Sequence, residues 1–282
     1  GHHPTIRKSG EVVFMDKNKK YALLDTDFIY KCHLARNAEN HTLAELVLNF
    51  EDYEFFCHEM VREELARREI DPDPNPWLES KVDEGKIRLY SDRDIVSELS
   101  KIYGEFATLT YISLLQISCE TFNKGFFDQY YGALQDVKNI TDIEYFLATL
   151  KECDSKIPHQ NGLGEKKTYV LIQMLEIFYN EQVYVFCSDD FKARQSIASL
   201  RKPIKCISIL GIFYKLMKMG HDKSEMEVYY TRLSAFLKNQ TVYKVWSLTG
   251  HQRIKVPIIQ LLEDIYDEKF QLLGNGDLQY IK

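Results

Sequence analysis

The stretch VYVFCSDDFKAR, Val183 to Arg194, decides how the rest of the chain is read. Its first half is apolar and rich in β-branched and aromatic residues, the composition of a buried strand. It then runs directly into two adjacent carboxylates, Asp189 and Asp190, followed by Lys192 and Arg194. Like charges side by side repel, and a cation or a phosphate held between them offsets that cost. A second strand-like run, KYALLD at Lys20 to Asp25, also stops at an acid.

Working outward, YEFFC (Tyr53 to Cys57) is a third strong strand pattern, and KIRLY (Lys86 to Tyr90) and PIKCISI (Pro203 to Ile209) are two weaker ones. Between them, HTLAELVLNF, HEMVREELARR, KKTYVLIQMLEIFYN and FKARQSIASLRK place apolar residues at helical three-and-four spacing. Strands alternating with helices predict an α/β fold, a three-layer α/β/α sandwich around a mostly parallel sheet. In such sheets the ligand site forms beyond the carboxyl ends of the strands. DPDPNPWLE (Asp71 to Glu79) predicts a non-helical corner followed by a fresh helix. Residues 91–157 are helical in pattern and aromatic-rich, and are expected to form an inserted helical subdomain. The expected division is a core domain over 12–219 and an extension over 220–282. In the extension TVYKVW is a candidate strand and VPIIQLLEDIYDEKF a helix. The opening GHHP reads as a tag scar outside the fold.

The 282 residues, 45% of them apolar, suffice for one large core or two modest ones. No apolar run reaches the eighteen or so residues of a membrane span, and no signal pattern opens the chain, so a cytoplasmic protein without a membrane partner is expected. The six cysteines are scattered singly without metal-type spacing and are expected to be buried, reduced thiols. A net charge of −6 disfavours a nonspecific polyanion binder and leaves a nuclease open, because catalytic carboxylates themselves add negative charge.

Two further acids share the context of the strand-end pair. Glu165, in NGLGEKKTYV, opens a helix after a Gly-rich turn, and Glu64 lies in HEMVREELARR on the helix after the YEFFC strand. Asp25 and Asp27 also suit helix N-capping, and a helical glutamate is most often a solvated surface charge. Four acids gathered at one end of a sheet would make an oxygen-rich pocket suited to Mg²⁺ or Mn²⁺.

The succession LLDTDF, VREEL, GLGEKKTYV and VYVFCSDDFKAR, followed by PIKCISILGIFYKL, resembles the PIN-domain nucleases, especially their VapC-like branch. The resemblance spans about Tyr21 to Met219 without the helical insert. It implies a metal-dependent endonuclease acting on nucleic acid, RNA above all, as a toxin, a processing factor or a defence nuclease. The acids it implies are Asp25, Glu64, Glu165 and Asp190, with Asp189 as an extra or alternative metal ligand and Ser188 at the small-hydroxyl position. Asp25, Glu165 and Asp190 would hold the cations, and Glu64 would ligate a second ion or orient the attacking water. Basic residues near these motifs, Arg62, Lys167, Lys192 and Arg194 with Lys31 and Lys166, would bind the strand. An antitoxin-like protein partner and a homodimer are the partners the resemblance implies. The aromatics of FNKGFFDQYYG (Phe122 to Gly132) would either stack on bases or form the insert's own core.

Two other readings compete. DTDF also resembles the aspartate loop of haloacid-dehalogenase-type phosphatases, although Ile29 stands where that family favours Thr or Val and no role is left for Glu64 and Glu165. The third is a catalytically inert PIN-like scaffold that grips a partner through the insert and the extension.

Overall fold

The computed structural model describes residues 2–6, 12–16, 19–135, 141–202, 204–236 and 242–282. Eleven strands form within them: β1 His2–Ile6, β2 Val12–Asp16, β3 Lys20–Leu24, β4 Tyr53–His58, β5 Ile87–Tyr90, β6 Tyr184–Cys187, β7 Lys205–Ile207, β8 Val242–Trp246, β9 Arg253–Pro257, β10 Phe270–Leu272 and β11 Leu278–Tyr280. The chain is α/β, with a five-stranded, mostly parallel sheet in the order β5-β4-β3-β6-β7 flanked by helices, in keeping with a three-layer sandwich. β3 pairs with β4, β4 with β5 and β6 with β7, each in parallel. All five expected core strands are present. Pro203 and residues 237–241, which include the end of KSEMEVYYTRLSAFLKNQ and the first residue of TVYKVW, lie outside the described residues.

Contacts divide the chain into two units interleaved in sequence, rather than at Gly220. One comprises Gly1–Thr26, Asp52–Glu69 and Asn75–Tyr184, the other Asp27–Glu51, Ile70–Pro74 and Val185–Lys282.

In the first unit Tyr21 is fully buried, its ring 5.0 Å from Phe56 and edge-on to Tyr179 and Tyr184. Burying an aromatic side chain of this kind contributes roughly 1.5–3 kcal/mol. Residues 91–157 supply helices at Asp92–Tyr103, Ala107–Phe122 and Ile143–Ser155, with two short ones between, and no strand among their described residues. The first starts at a capping box in which the Ser91 and Asp94 side chains each accept the other's backbone N–H. Phe127 and Tyr131 are fully buried, so these aromatics of FNKGFFDQYYG belong to the insert's own core. The helix Leu163–Phe178 is buried almost all round, and Gln173 Nε2 donates to the Leu114 carbonyl at 2.9 Å. The residues read as a tag scar instead join a two-stranded antiparallel ladder, His2–Ile6 on Val12–Asp16. HHPTI carries no apolar pattern of its own, and backbone pairing with the apolar VVFMD run needs none.

The second unit holds a four-stranded sheet, β10-β11-β8-β9, where the sequence predicted a single strand. The helices Ile209–Lys218 and Lys223–Phe236 meet through Phe213 and Tyr230, ring centroids 4.8 Å apart. All six cysteines are buried and none is in a disulfide. No helix among the described residues is long and apolar enough to cross a membrane.

His33, also in the second unit, is 7% exposed, and burial, then the nearby Arg36, pushes its imidazole down to about 4. An unfolded histidine titrates near 6.5, so between about pH 6.5 and 4 the unfolded chain binds a proton that the folded one does not. Stability from neutral His33 is therefore full above that window and is lost as pH falls through it. Thermal melts at pH 7, 5.5 and 4 should show the His33→Gln variant losing less stability on acidification than the wild type. Parallel profiles would assign the acid loss to other groups.

Candidate active site

Three of the expected acids lie in the first unit. β3 ends at Leu24, and Asp25, 6% exposed, accepts the Thr26 backbone N–H at 2.9 Å. The helix Glu59–Arg67 carries Glu64 one turn from its end. Its start is capped by His58, whose Nδ1 accepts from the Met60 N–H at 2.9 Å. The two oxygens of Glu64 are held separately. Oε1 accepts the Gly164 N–H at 2.7 Å and Oε2 accepts the Thr26 hydroxyl at 2.6 Å. Gly164 is the second residue of the helix Leu163–Phe178, so Glu64 satisfies one of the amide donors that a helix start leaves unpaired, and its negative charge suits that end of the dipole. Thr26 thus links Asp25, through its N–H, to Glu64, through its hydroxyl.

The GLG turn explains itself in this geometry. Gly162 caps the helix at φ +73°, a left-handed conformation that side chains other than glycine's adopt at a cost. Gly164 has ordinary helical φ but no room. A Cβ there would stand 2.6 Å from Glu64 Oε2 and 2.9 Å from Thr26 Oγ1. Gly164→Ala is expected to cost about 1–3 kcal/mol in urea denaturation by overpacking. Gly132→Ala, with nothing within 4 Å of the added carbon, should be close to neutral. Equal effects would mean that the close approach to Glu64 does not constrain the helix start.

Glu64 also lines a cleft of about 720 Å³, together with Arg67, Arg68, His159, Asn161 and Gly162. Its size is that of a small-molecule or nucleotide site. His159 and Gln160 form part of this wall with left-handed φ of 54° and 49°. Glu165, in the first turn of its helix, has an oxygen 3.7 Å from Lys166 Nζ.

The neighbouring lysines are not surface charges. Lys166 is 1% exposed, donates to Asn123 Oδ1 at 2.8 Å and lies 4.1 Å from the Phe126 ring centroid. Burial holds its ammonium below the ordinary lysine value. Lys167 is fully buried, 2.8 Å from Asp92 Oδ2 and 3.0 Å from Asp154 Oδ2. Burial alone would lower its pKa, but Asp154 and Asp92 together raise it above the ordinary value. His58 Nε2 at 2.9 Å and the Tyr111 hydroxyl complete the shell of Asp92, and the Tyr131 hydroxyl donates to Asp154 at 2.6 Å. This is a structural network, and it corrects the expectation that Lys167 contacts nucleic acid. Arg62 is half-buried and paired with Glu59 at 2.6 Å and Glu79 at 3.1 Å.

The second unit carries the SDD motif. Asp190 is exposed and caps the helix Phe191–Ala198, accepting the Ala193 N–H at 3.1 Å. Ser188 is fully buried, and its hydroxyl accepts the Asp190 N–H at 3.1 Å. Asp189 pairs with Lys31 and accepts the Ile209 N–H at 3.2 Å. Lys192 is exposed. Arg194 is 4% exposed, donating to the Ser188 carbonyl at 3.0 Å, the Asn275 carbonyl at 3.0 Å and Asp277 Oδ1. It ties the helix to the C-terminal segment, which corrects the expectation of a strand-binding arginine. The same burial takes Ser188 off the accessible surface.

Among the described residues no group of three or more His, Cys, Asp or Glu side chains stands in an arrangement that could hold a metal ion. The carboxylates linked through Thr26 are nonetheless hard oxygen donors, the kind Mg²⁺ and Mn²⁺ take. Sequence reading finds the acids and the Gly-rich turn but misses Thr26, whose only signal is a hydroxyl directly after a strand-end aspartate. It also misses Arg67, Arg68 and His159, which are unremarkable polar residues until the fold brings them around Glu64. Comparison of the chain with protein-family models, with curated proteins and with solved structures finds no match.

Proposed function

We propose that the protein is a metal-dependent endonuclease that hydrolyses phosphodiester bonds, with RNA as the polymer and the cytosol as its setting. The observation that carries the reading is the clamped Glu64 carboxylate, fixed by the Gly164 amide and the Thr26 hydroxyl beside buried Asp25 and lining a cleft that also presents Arg67 and Arg68. Such a cleft offers charge of both signs, the Glu64 carboxylate and, for phosphates, the Arg67 and Arg68 guanidinium groups.

Asp25 and Glu165 would hold Mg²⁺ or Mn²⁺. When bound, the ion would act as a Lewis acid toward the phosphate oxygens. The chain's own residues do the rest. Glu64 cannot swing, because a different donor fixes each of its oxygens, so its remaining lone pairs have set directions and can orient a water for attack. Thr26 and Gly164 are positioning residues for Glu64. Arg67 and Arg68 would neutralise the backbone of the bound strand, and binding would weaken as salt rises.

The test is calorimetric titration of Mn²⁺ into the wild type, Asp25→Asn and Glu63→Gln. The reading expects saturable binding that is lost in Asp25→Asn and kept in Glu63→Gln, the neighbouring glutamate outside the proposed set. Binding unaffected by Asp25→Asn would remove this aspartate from the metal site.

A further inference from the structure

The second unit contains a pocket whose charge is not accounted for. It encloses about 280 Å³ and is lined by Tyr243 and Lys244 of β8, Arg253 and Lys255 of β9, Phe191 and Asp277, among others. In the β8–β9 ladder Lys244 stands directly opposite Lys255, and Arg253 is two residues along the same strand. Cross-strand partners and residues two apart share a face, so all three cations project from one side of the hairpin. Like charges directly opposite one another destabilise a sheet. Among the described residues no ion pair involves Lys244 or Lys255, and the acid near Arg253, Asp277, already accepts from Arg194 and the Trp246 indole, while Asp189 pairs with Lys31.

Two polar atoms here are also buried without a hydrogen-bond partner, Arg253 Nε and the Tyr243 hydroxyl. A buried donor left unpaired costs about 1–3 kcal/mol. The Arg253 guanidinium lies 3.5 Å from the Phe191 ring centroid, a stacking that fixes its plane and leaves its N–H edge to donate. A stacked guanidinium with an orphaned donor, two lysines facing each other and a volume at the small end of ligand pockets together describe an anion site.

We infer that this pocket binds a phosphate monoester, the terminal phosphate of a small molecule, through Arg253, Lys244 and Lys255. A dianion suits three clustered cations better than a single carboxylate does, and the planar guanidinium fork matches phosphate oxygens. The site is independent of the proposed nuclease chemistry and stands or falls separately.

The test is calorimetric titration of the full chain, without added divalent metal, with inorganic phosphate, adenosine 5′-monophosphate and adenosine. Phosphate and the monophosphate should bind saturably and raise the melting temperature, and adenosine should do neither. Arg253→Gln and the double variant Lys244→Gln/Lys255→Gln should each weaken binding at least tenfold. The lysines are exposed, so the double variant keeps the test decisive if Arg253→Gln fails to fold. Absence of binding by both phosphates would overturn the inference. So would adenosine binding as well as its monophosphate, or phosphate binding that the hairpin variants leave unchanged, which would locate the anion elsewhere.

Discussion

Lys167→Met is expected to destabilise the protein by about 3–5 kcal/mol, because it leaves the carboxylates of Asp92 and Asp154 in the core without their cation. Most domains have only about 5–15 kcal/mol in total, so the variant should be close to unfolding in mild denaturant. The charge states fix the pH dependence. Asp92 is pushed up by burial, but Lys167 and His58 outweigh that and hold it below the usual carboxylate range. Its stabilisation is present above the ordinary aspartate pKa and is lost as pH falls through the depressed one. Asp154 goes the other way, raised by burial despite Lys167, and Lys167 keeps its own contribution until pH exceeds its raised value. Without the lysine both carboxylates bind protons more readily when folded, so the penalty of Lys167→Met should shrink as pH is lowered toward 4. Urea denaturation at pH 7.5 and 4.5 measures this. A loss below 1 kcal/mol at pH 7.5 would mean that water or rearrangement replaces the ammonium. The triple variant with Asp92→Asn and Asp154→Asn should recover part of the loss, since neutral amides avoid burying charge.

Asp25→Asn is expected to lower metal-dependent cleavage about a thousandfold, roughly 4 kcal/mol of transition-state stabilisation at about 1.4 kcal/mol per tenfold. The amide keeps the volume and can still accept the Thr26 N–H, so the fold should survive, and removing the charge beside Glu64 should if anything raise the melting temperature. That opposition, activity down and stability level or up, separates a functional acid from a structural one. Thr26→Val should have a smaller effect, because it frees Glu64 Oε2 while Gly164 still holds Oε1. A drop of about tenfold with the substrate KM little changed would mark Thr26 as a positioning residue. Equal activity of wild type and Asp25→Asn would leave Asp25 without a catalytic role.

The sheet was legible because its strands are short apolar runs ended by turn signals, and burial on both faces leaves little room for other residues. The C-terminal sheet was not, since FQL at Phe270–Leu272 and LQY at Leu278–Tyr280 are too short to show a period. Motif order singled out the acids but not the Thr26 link between Asp25 and Glu64, and the fate of the basic residues could not be read either. Arg62 has a partner three residues away, Glu59, a spacing visible in the sequence. Lys167 finds Asp92 across 75 residues and Arg194 finds Asp277 across 83, and no local pattern encodes pairings at that distance. A sequence displays the charge of a lysine; the fold decides whether a phosphate or an aspartate meets it.

The most direct test of the central claim is an endonuclease assay of the wild-type protein on end-labelled single-stranded RNA, structured RNA and single-stranded DNA, with Mg²⁺, with Mn²⁺ and with EDTA. Internal cleavage of RNA that requires the divalent ion, stops in EDTA and is lost in Asp25→Asn is the expected result. Intact substrates under every condition, or cleavage that persists in EDTA or in the Asp25→Asn variant, would contradict it.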